Sequence, residues 1–357
     1  MTDFDMNKTI NPKKWGISVL ALILVFVIAV GAAVIYVDPF WHFHGPTAGL
    51  SYPYLDERYQ NDGIARHFSY DAVIAGTSIA ENFKVSKVKE LWGYETIKQT
   101  AASATFYEQD GYVRRAFSHN PDIKLVIRSL DATRLVTGPE DESYDDIPKY
   151  LYDENIFNDV RYLYNKDVIQ RVTEVINYTR AGNVTKPMDE YGVWYPYATY
   201  GREEVLAGLI DYSDFTEEVM FDAYADKMLA VNVERNILKT AREHPDTEFI
   251  FFIPPYSAAY WYGMLKTKQL NYTIEAYKLA VSLLLTEDNI KVYDFSDMVD
   301  ITTNLDNYMD TLHYGEWIND QMLLWMSEGE GELTKENYEA HLDKVKEIYE
   351  NLEYDYE

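Results

Sequence analysis

Asp71-Ala72-Val73-Ile74-Ala75-Gly76-Thr77-Ser78-Ile79-Ala80-Glu81-Asn82-Phe83 is the stretch on which the fold turns. It opens with a short apolar run of strand length, Ala72 to Ala75. Gly76-Thr77-Ser78 follows, and then helical spacing in Phe83, Val85, Val88, Leu91 and Trp92. A strand feeding a tight turn and then a helix puts Ser78 at the carboxyl end of a strand and near a helix N-terminus. Backbone N–H groups there are unpaired and face whatever lies above them. In an open parallel sheet that edge is where ligands bind. A serine so placed is either a nucleophile or a helix N-cap, since Ser is a preferred cap.

The rest of the chain repeats the alternation. Glu95–Thr100 reads as a second strand, Phe106–Phe117 as a helix and Ile123–Asp131 as a third strand. Thr247–Ile253, closed by Pro254-Pro255, is a fourth strand, and Ile290–Phe295 a fifth. Helical patterns cover Glu218–Arg242, Tyr272–Leu285, Trp317–Met326 and Lys335–Leu352. Tyr59-Gln60-Asn61-Asp62-Gly63 carries a turn signal before the first strand. Near-continuous apolar strands separated by helices imply a parallel sheet covered on both faces. The pattern breaks between about 138 and 216. That block holds the acidic loop Pro139–Asp146, a helical stretch at Val160–Tyr178 and the Tyr/Trp/Gly/Pro-rich Tyr191–Tyr200. It reads as an insertion on the outer face rather than a separate domain.

Ile17 to Val37 is uncharged throughout, long enough to span a bilayer as a helix, and has Trp15 and Tyr36 near its ends as interfacial aromatics. Lys8, Lys13 and Lys14 precede it, and the next basic residue is Arg58. The positive-inside rule places a tail at 1–14 in the cytoplasm, an anchor at 15–37 and the domain 38–357 outside. The competing reading is a signal peptide cut near Ala29-Val30-Gly31, although the run exceeds the usual apolar core of such peptides. His42 and His44 in the aromatic exit stretch read as part of an interfacial belt rather than as metal ligands.

Composition narrows the function classes. The 357 residues carry a formal charge of −27, which repels phosphate backbones and argues against nucleic acid as a partner. The absence of cysteine excludes disulfides, thiol catalysis and cysteine metal sites. No dinucleotide or P-loop glycine pattern and no zinc-type histidine spacing occurs, so neither a cofactor nor a metal is expected. The 32 tyrosines are read as packing residues rather than as a sugar-stacking surface.

An acyl-transfer serine needs a base in reach, a group that orients the base, and donors for the oxyanion. Of seven histidines only His313 has an aspartate, Asp310, three residues before it. Asp310-Thr311-Leu312-His313 follows the fifth strand and so emerges at the same sheet edge as Ser78. A D-x-x-H block alone is weak and also describes a surface pair. Its weight comes from the combination with G-x-S after the first strand.

That combination resembles the SGNH (GDSL-type) hydrolase superfamily. The exit Val37-Asp38-Pro39-Phe40, the stretch Arg58–Gly63 and Gly76–Phe83 look like the membrane-anchored, DltD-like SGNH proteins of Gram-positive bacteria. The resemblance covers about residues 35–325. It implies a three-layer α/β/α sandwich with a five-stranded parallel sheet of order 2-1-3-4-5, preceded by one transmembrane helix. It implies a catalytic Ser78, His313 and Asp310, and acyl-ester chemistry on a carbohydrate or cell-wall polymer, sometimes beside a multi-span membrane O-acyltransferase. Two positions depart from the family pattern. Ser103 stands where an oxyanion glycine is expected, although its N–H survives the change. Asp131 stands at the usual asparagine, where an ionised carboxylate would oppose an oxyanion. Pro255 and Tyr256, after the fourth strand, end at the same edge and are expected to line the pocket. The alternative is a non-catalytic extracytoplasmic binding or assembly protein with a weakened site.

Overall fold

The computed structural model describes residues 11–144 and 148–356. Residues 1–10 of the expected tail and the end of the acidic loop, Asp145-Asp146, lie outside the described residues. Two compact units are present: Met1–Pro53 with Lys149–Thr185, and Tyr54–Pro148 with Lys186–Glu357. The block from 138 to 216 is thus divided between them.

The second unit is a mixed α/β fold. β1 (Ala72–Gly76), β2 (Thr96–Thr100), β3 (Leu125–Ser129), β4 (Glu248–Ile253) and β5 (Ile290–Asp294) run parallel in the order β2-β1-β3-β4-β5. A sixth, two-residue strand, β6 (Glu332–Leu333), pairs antiparallel with β5. Two residues carry no period, so β6 left no mark in the sequence pattern. Every residue of β1, β2 and β3 is buried, as expected of a sheet covered by helices.

The expected turn at Tyr59–Gly63 is instead the interior of a helix, Glu57–His67. Asp56 caps it by accepting from the Arg58 N–H, Glu57 lies in its first turn and Arg66 and His67 in its last, all in accord with the helix dipole. Its buried face is polar, with Gln60, Asn61 and Asp62 almost wholly inside. Asn61 donates to the Thr100 carbonyl at 3.0 Å, and Gln99 donates to the Asn61 carbonyl at 2.9 Å. This helix covers β2, an edge strand that would otherwise offer unpaired backbone groups. A polar inward face has no apolar period, which is why the segment read as a turn.

The long helix expected from Glu218 begins at Ala223, because Asp222 accepts from the Tyr224 and Ala225 N–H groups and fixes the start there. It is interrupted by a π-helical turn at Glu234–Leu238 before ending at Glu243. In that turn the Asn236 carbonyl accepts from the buried Arg128 of β3 at 3.0 Å.

In the first unit, Pro12–Val37 is a helix long and apolar enough to cross a membrane. It stops at Asp38, which has the left-handed φ of 45°. The Asp38 carboxylate accepts from the N–H groups of His42, Phe43 and His44 at 2.7–2.9 Å and from the Tyr162 hydroxyl at 2.7 Å. His42 pairs with Asp159 at 3.0 Å. His44 has both ring nitrogens on carbonyls: Nδ1 on Gly45 at 2.7 Å and Nε2 on Ile35 at 2.6 Å. A neutral imidazole carries one N–H and can serve only one of them, so the arrangement calls for the imidazolium. Burial opposes that charge, but the two carbonyls and Asp38 outweigh it and raise the pKa. The charge also sits at the negative end of the apolar helix.

A raised histidine pKa stabilises the fold fully below the unfolded value and loses that contribution as pH rises through the folded value. His44→Ala therefore costs about 0.5–1 kcal/mol in mildly acidic buffer and less at pH 8. Thermal melts of the full chain in detergent measure it, and an equal cost at both pH values would argue against the imidazolium.

Candidate active site

The turn after β1 is built around Gly76, at φ +151°. A Cβ there would lie 2.7 Å from Ser129 Oγ and 2.8 Å from Ala80 Cβ, so only glycine fits. The helix cap is Thr77, whose hydroxyl accepts from the Ile79 N–H at 3.3 Å. Ser78 is thereby the first helical residue, and its side chain is not used in capping. Its hydroxyl donates to His313 Nε2 at 2.7 Å.

The helix that starts at Ser78 is only four residues long, Ser78–Glu81. A helix that short leaves its carbonyls without intrahelical partners. Side chains from three distant places fill the gap. Trp194 Nε1 donates to the Ser78 carbonyl at 2.8 Å, Asn319 to Ile79 at 3.3 Å and Lys98 to Glu81 at 2.7 Å. Lys98 also donates to the Asp189 carbonyl at 2.9 Å, tying the helix to the loop that carries Trp194. The Trp194 indole meets the His313 ring edge to face, with centroids 5.2 Å apart. Burial pushes Glu81 up to about 8, with the charge of Glu57 adding to the effect. Burial pushes Lys98 down to about 7, opposed by Asp189, Glu81, Glu190 and Glu57. Lys98 can donate to both carbonyls whether charged or neutral.

Asp310 and His313 lie on a closed loop after β5. Tyr308 and Tyr314 form an antiparallel bridge at its neck, and the Met309 N–H donates to the His313 carbonyl at 3.0 Å. The loop is bolted to the segment after β4: the Tyr308 hydroxyl donates to the Pro255 carbonyl at 2.6 Å, and Ser257 Oγ to the Thr311 carbonyl at 2.8 Å. Asp310 Oδ1 accepts the N–H groups of Leu312 and His313, each at 2.8 Å. Its Oδ2 stands 2.7 Å from His313 Nδ1. Burial works to raise the Asp310 pKa, but the bonds from His313 and Leu312 prevail and hold it below the ordinary carboxylate value. An ionised Asp310 accepts only, so Nδ1 carries the proton and Nε2 is left to accept from Ser78.

The other expected pocket residues fall into two groups. Ser103 is partly exposed and has a positive φ of 61°, a backbone that favours glycine. Among the described residues no acceptor meets the N–H of Ser103 or of Ser78. Asp131, Pro255 and Tyr256 are buried. Asp131 accepts from Thr77 Oγ1 at 3.1 Å, Ser129 Oγ at 2.7 Å and the Tyr256 hydroxyl at 3.1 Å. Burial raises its pKa against those three bonds. Its side chain therefore ties the ends of β1, β3 and β4 together. Ser103→Gly should stabilise the fold by roughly 0.5–1 kcal/mol, since left-handed strain outweighs the added chain entropy. A melting temperature unchanged or lowered would show that the Ser103 side chain holds its turn in another way.

Trp194, Lys98 and Asn319 were not singled out by sequence. Trp194 belongs to the aromatic stretch Tyr191–Tyr200, where nothing local distinguishes it from its neighbours. Lys98 is the one charged residue in a strand of buried residues, and that oddity was the available signal.

No family model matches the chain. No curated protein matches it either. Six solved chains match. One of them, from Streptococcus pneumonia and described under the name platelet activating factor, is 12% identical, with 76% of this chain and 88% of that one covered at a TM-score of 0.38. A likeness of that degree carries no statement about chemistry.

Proposed function

We propose that the chain is a serine-dependent ester hydrolase or O-acyltransferase of the SGNH type, acting on acyl esters of a cell-envelope glycopolymer. The observation that carries this reading is the relay Ser78 Oγ to His313 Nε2 at 2.7 Å and His313 Nδ1 to Asp310 Oδ2 at 2.7 Å. In the proposed cycle Ser78 Oγ bonds to the ester carbonyl carbon as its proton passes to His313. The two open N–H groups, of Ser78 and Ser103, hold the oxyanion. The carbon–oxygen bond to the polymer breaks, and His313 returns the proton to the departing hydroxyl. Water or a sugar hydroxyl then gives a proton to His313 and takes the acyl group; as the acyl bond to Ser78 breaks, His313 returns that proton to Ser78 Oγ, which restores the starting pair. Asp310 keeps the imidazole in the required tautomer throughout. The helix Pro12–Val37, read with lysines on its N-terminal side, supports an anchor with the α/β unit outside the cell. A polymer substrate, and a multi-span acyltransferase partner, follow from the DltD-like resemblance alone.

The second reading, a binding or assembly protein with a weakened site, is favoured by Asp131, which supplies no third donor. Loss of one oxyanion donor typically costs about 100–1000-fold in rate, so slow turnover is compatible with the first reading. Exposure of the wild-type chain to a fluorophosphonate, followed by peptide mapping, separates the two. Covalent label on Ser78, with measurable turnover of p-nitrophenyl acetate, supports the enzyme. An unreactive wild type would overturn it in favour of the binding protein.

A further inference from the structure

The unit formed by Met1–Pro53 and Lys149–Thr185 shows apolar side chains that its own core leaves uncovered. Ile156, Phe157 and Val160 are 74%, 86% and 54% exposed. Tyr162, Val168, Val172 and Val175 supply the inward face of the same segment. The outward residues are therefore surplus to packing.

Two tyrosines fix the level of this segment along the apolar helix. The Tyr162 hydroxyl donates to the Asp38 carboxylate at 2.7 Å, just past the helix end. The Tyr164 hydroxyl donates to the Val27 carbonyl at 3.2 Å. Gly31 admits it, since a Cβ there would lie 2.9 Å from Tyr164 Oη. Val27 to Asp38 is about 16 Å of helix, so the two hydroxyls meet it from just past its C-terminal end to about 16 Å along it. Trp15 and Tyr36 stand about 30 Å apart on the same scale, the thickness of a bilayer core. The segment that carries Tyr162 and Tyr164 is thus tied to the C-terminal half of that span. The following helix, Lys166–Arg180, leads back to the exit: Thr179 Oγ1 accepts from Ser51 at 2.9 Å. Beyond it Thr185 Oγ1 accepts from the Tyr52 N–H at 2.8 Å, and the Tyr52 hydroxyl donates to the Val37 carbonyl at 2.6 Å.

Charge agrees with this placement. Residues 149–185 hold five basic and five acidic side chains, and the whole net charge of −27 is carried by residues 54–148 and 186–357. An anionic lipid surface would not repel this segment as it would residues 54–148 and 186–357.

We infer that Ile156, Phe157 and Val160, with Tyr164 beside them, seat in the interfacial layer of the bilayer that the apolar helix crosses, as a second, monotopic membrane contact. The inference rests on that helix being inserted and is independent of the acyl chemistry. Its occupant is lipid, because the segment is held against the apolar helix through Tyr164 and Val27 and carries no net charge.

The chain has no cysteine, so single cysteines can be labelled without a background. Phe26→Cys, Phe157→Cys, Val160→Cys and Asn183→Cys, each in the full chain, are coupled to a nitrobenzoxadiazole dye. They are reconstituted in phosphatidylcholine vesicles containing one-fifth phosphatidylglycerol, with and without lipid carrying a spin label at a shallow acyl carbon. The expected result is quenching at 157 and 160 that exceeds quenching at 183 by about twofold or more. Quenching at 26 by deeply labelled lipid reports insertion of the helix. Quenching at 26 without quenching at 157 and 160 overturns the contact while the anchor stands, and no quenching at 26 removes both. Labels at 157 and 160 that are shielded from aqueous iodide yet unquenched by lipid would show a protein partner on this face, which also overturns it.

Discussion

Ser78→Ala takes fluorophosphonate labelling and p-nitrophenyl ester turnover to background, a loss of at least about 1000-fold. The hydroxyl proposed as nucleophile is gone, while the scaffold that held it is not. Thr77 still caps the helix, and Trp194 still holds the carbonyl of residue 78, a main-chain contact. The missing hydroxyl removes one partly buried hydrogen bond to His313, worth about 1 kcal/mol, so the melting temperature falls by only a few degrees. A variant that labels as fast as the wild type, or one that labels at Ser103 or Ser257, would show that the nucleophile is elsewhere. A variant that fails to fold is recognised by circular dichroism, and Ser78→Cys, which keeps a nucleophile in place, then supplies the comparison.

Asp310→Asn lowers the labelling rate by about 1000–10 000-fold with the fold intact. The asparagine carbonyl can still accept from the Leu312 and His313 N–H groups, so the loop stays closed. Its amide, however, donates toward Nδ1. His313 must then place its proton on Nε2, facing Ser78, where it can no longer accept. The measurement is the second-order rate constant for labelling, taken with circular dichroism as the check on folding. A decrease below tenfold would mean that Asp310 does not set the tautomer. The native carboxyl has a depressed pKa, so its contribution to stability is present above the unfolded value and is lost as pH falls through the folded one. The asparagine variant should lack that acid limb.

Much of this site is readable because it depends on short-range rules. β1, β3 and β4 announce themselves as apolar runs, since buried parallel strands have little room for polar side chains. Ser78 and the Asp310–His313 block follow strands and so meet at one sheet edge. The assignment of the cap was less readable. Both Thr77 and Ser78 have capping side chains, and only the path of the chain after Gly76 gives the cap to Thr77. Asp131 stands in the pattern as a contradiction, a carboxylate where a donor is expected. Three hydroxyls from Thr77, Ser129 and Tyr256 resolve it, and they come from three separate segments. The Glu57–His67 helix was hidden because its partners are the polar backbone and side chains of β2, and hydropathy does not register hydrogen bonds.

Local pattern was enough for the alternation of strands and helices, the apolar helix at the start, and which serine, histidine and aspartate share a sheet edge. Those follow from periodicity, from hydropathy and from the direction of parallel strands, all of which are local. That a four-residue helix can stand is settled by packing, because Trp194, Asn319 and Lys98 reach its carbonyls from remote positions. It alone decided that residues 149–185 pack with the apolar helix, a choice made by Tyr162 and Tyr164 across more than a hundred positions. Hydrogen bonds between groups far apart in the chain leave no period in the sequence, and these were the contacts that placed the pieces.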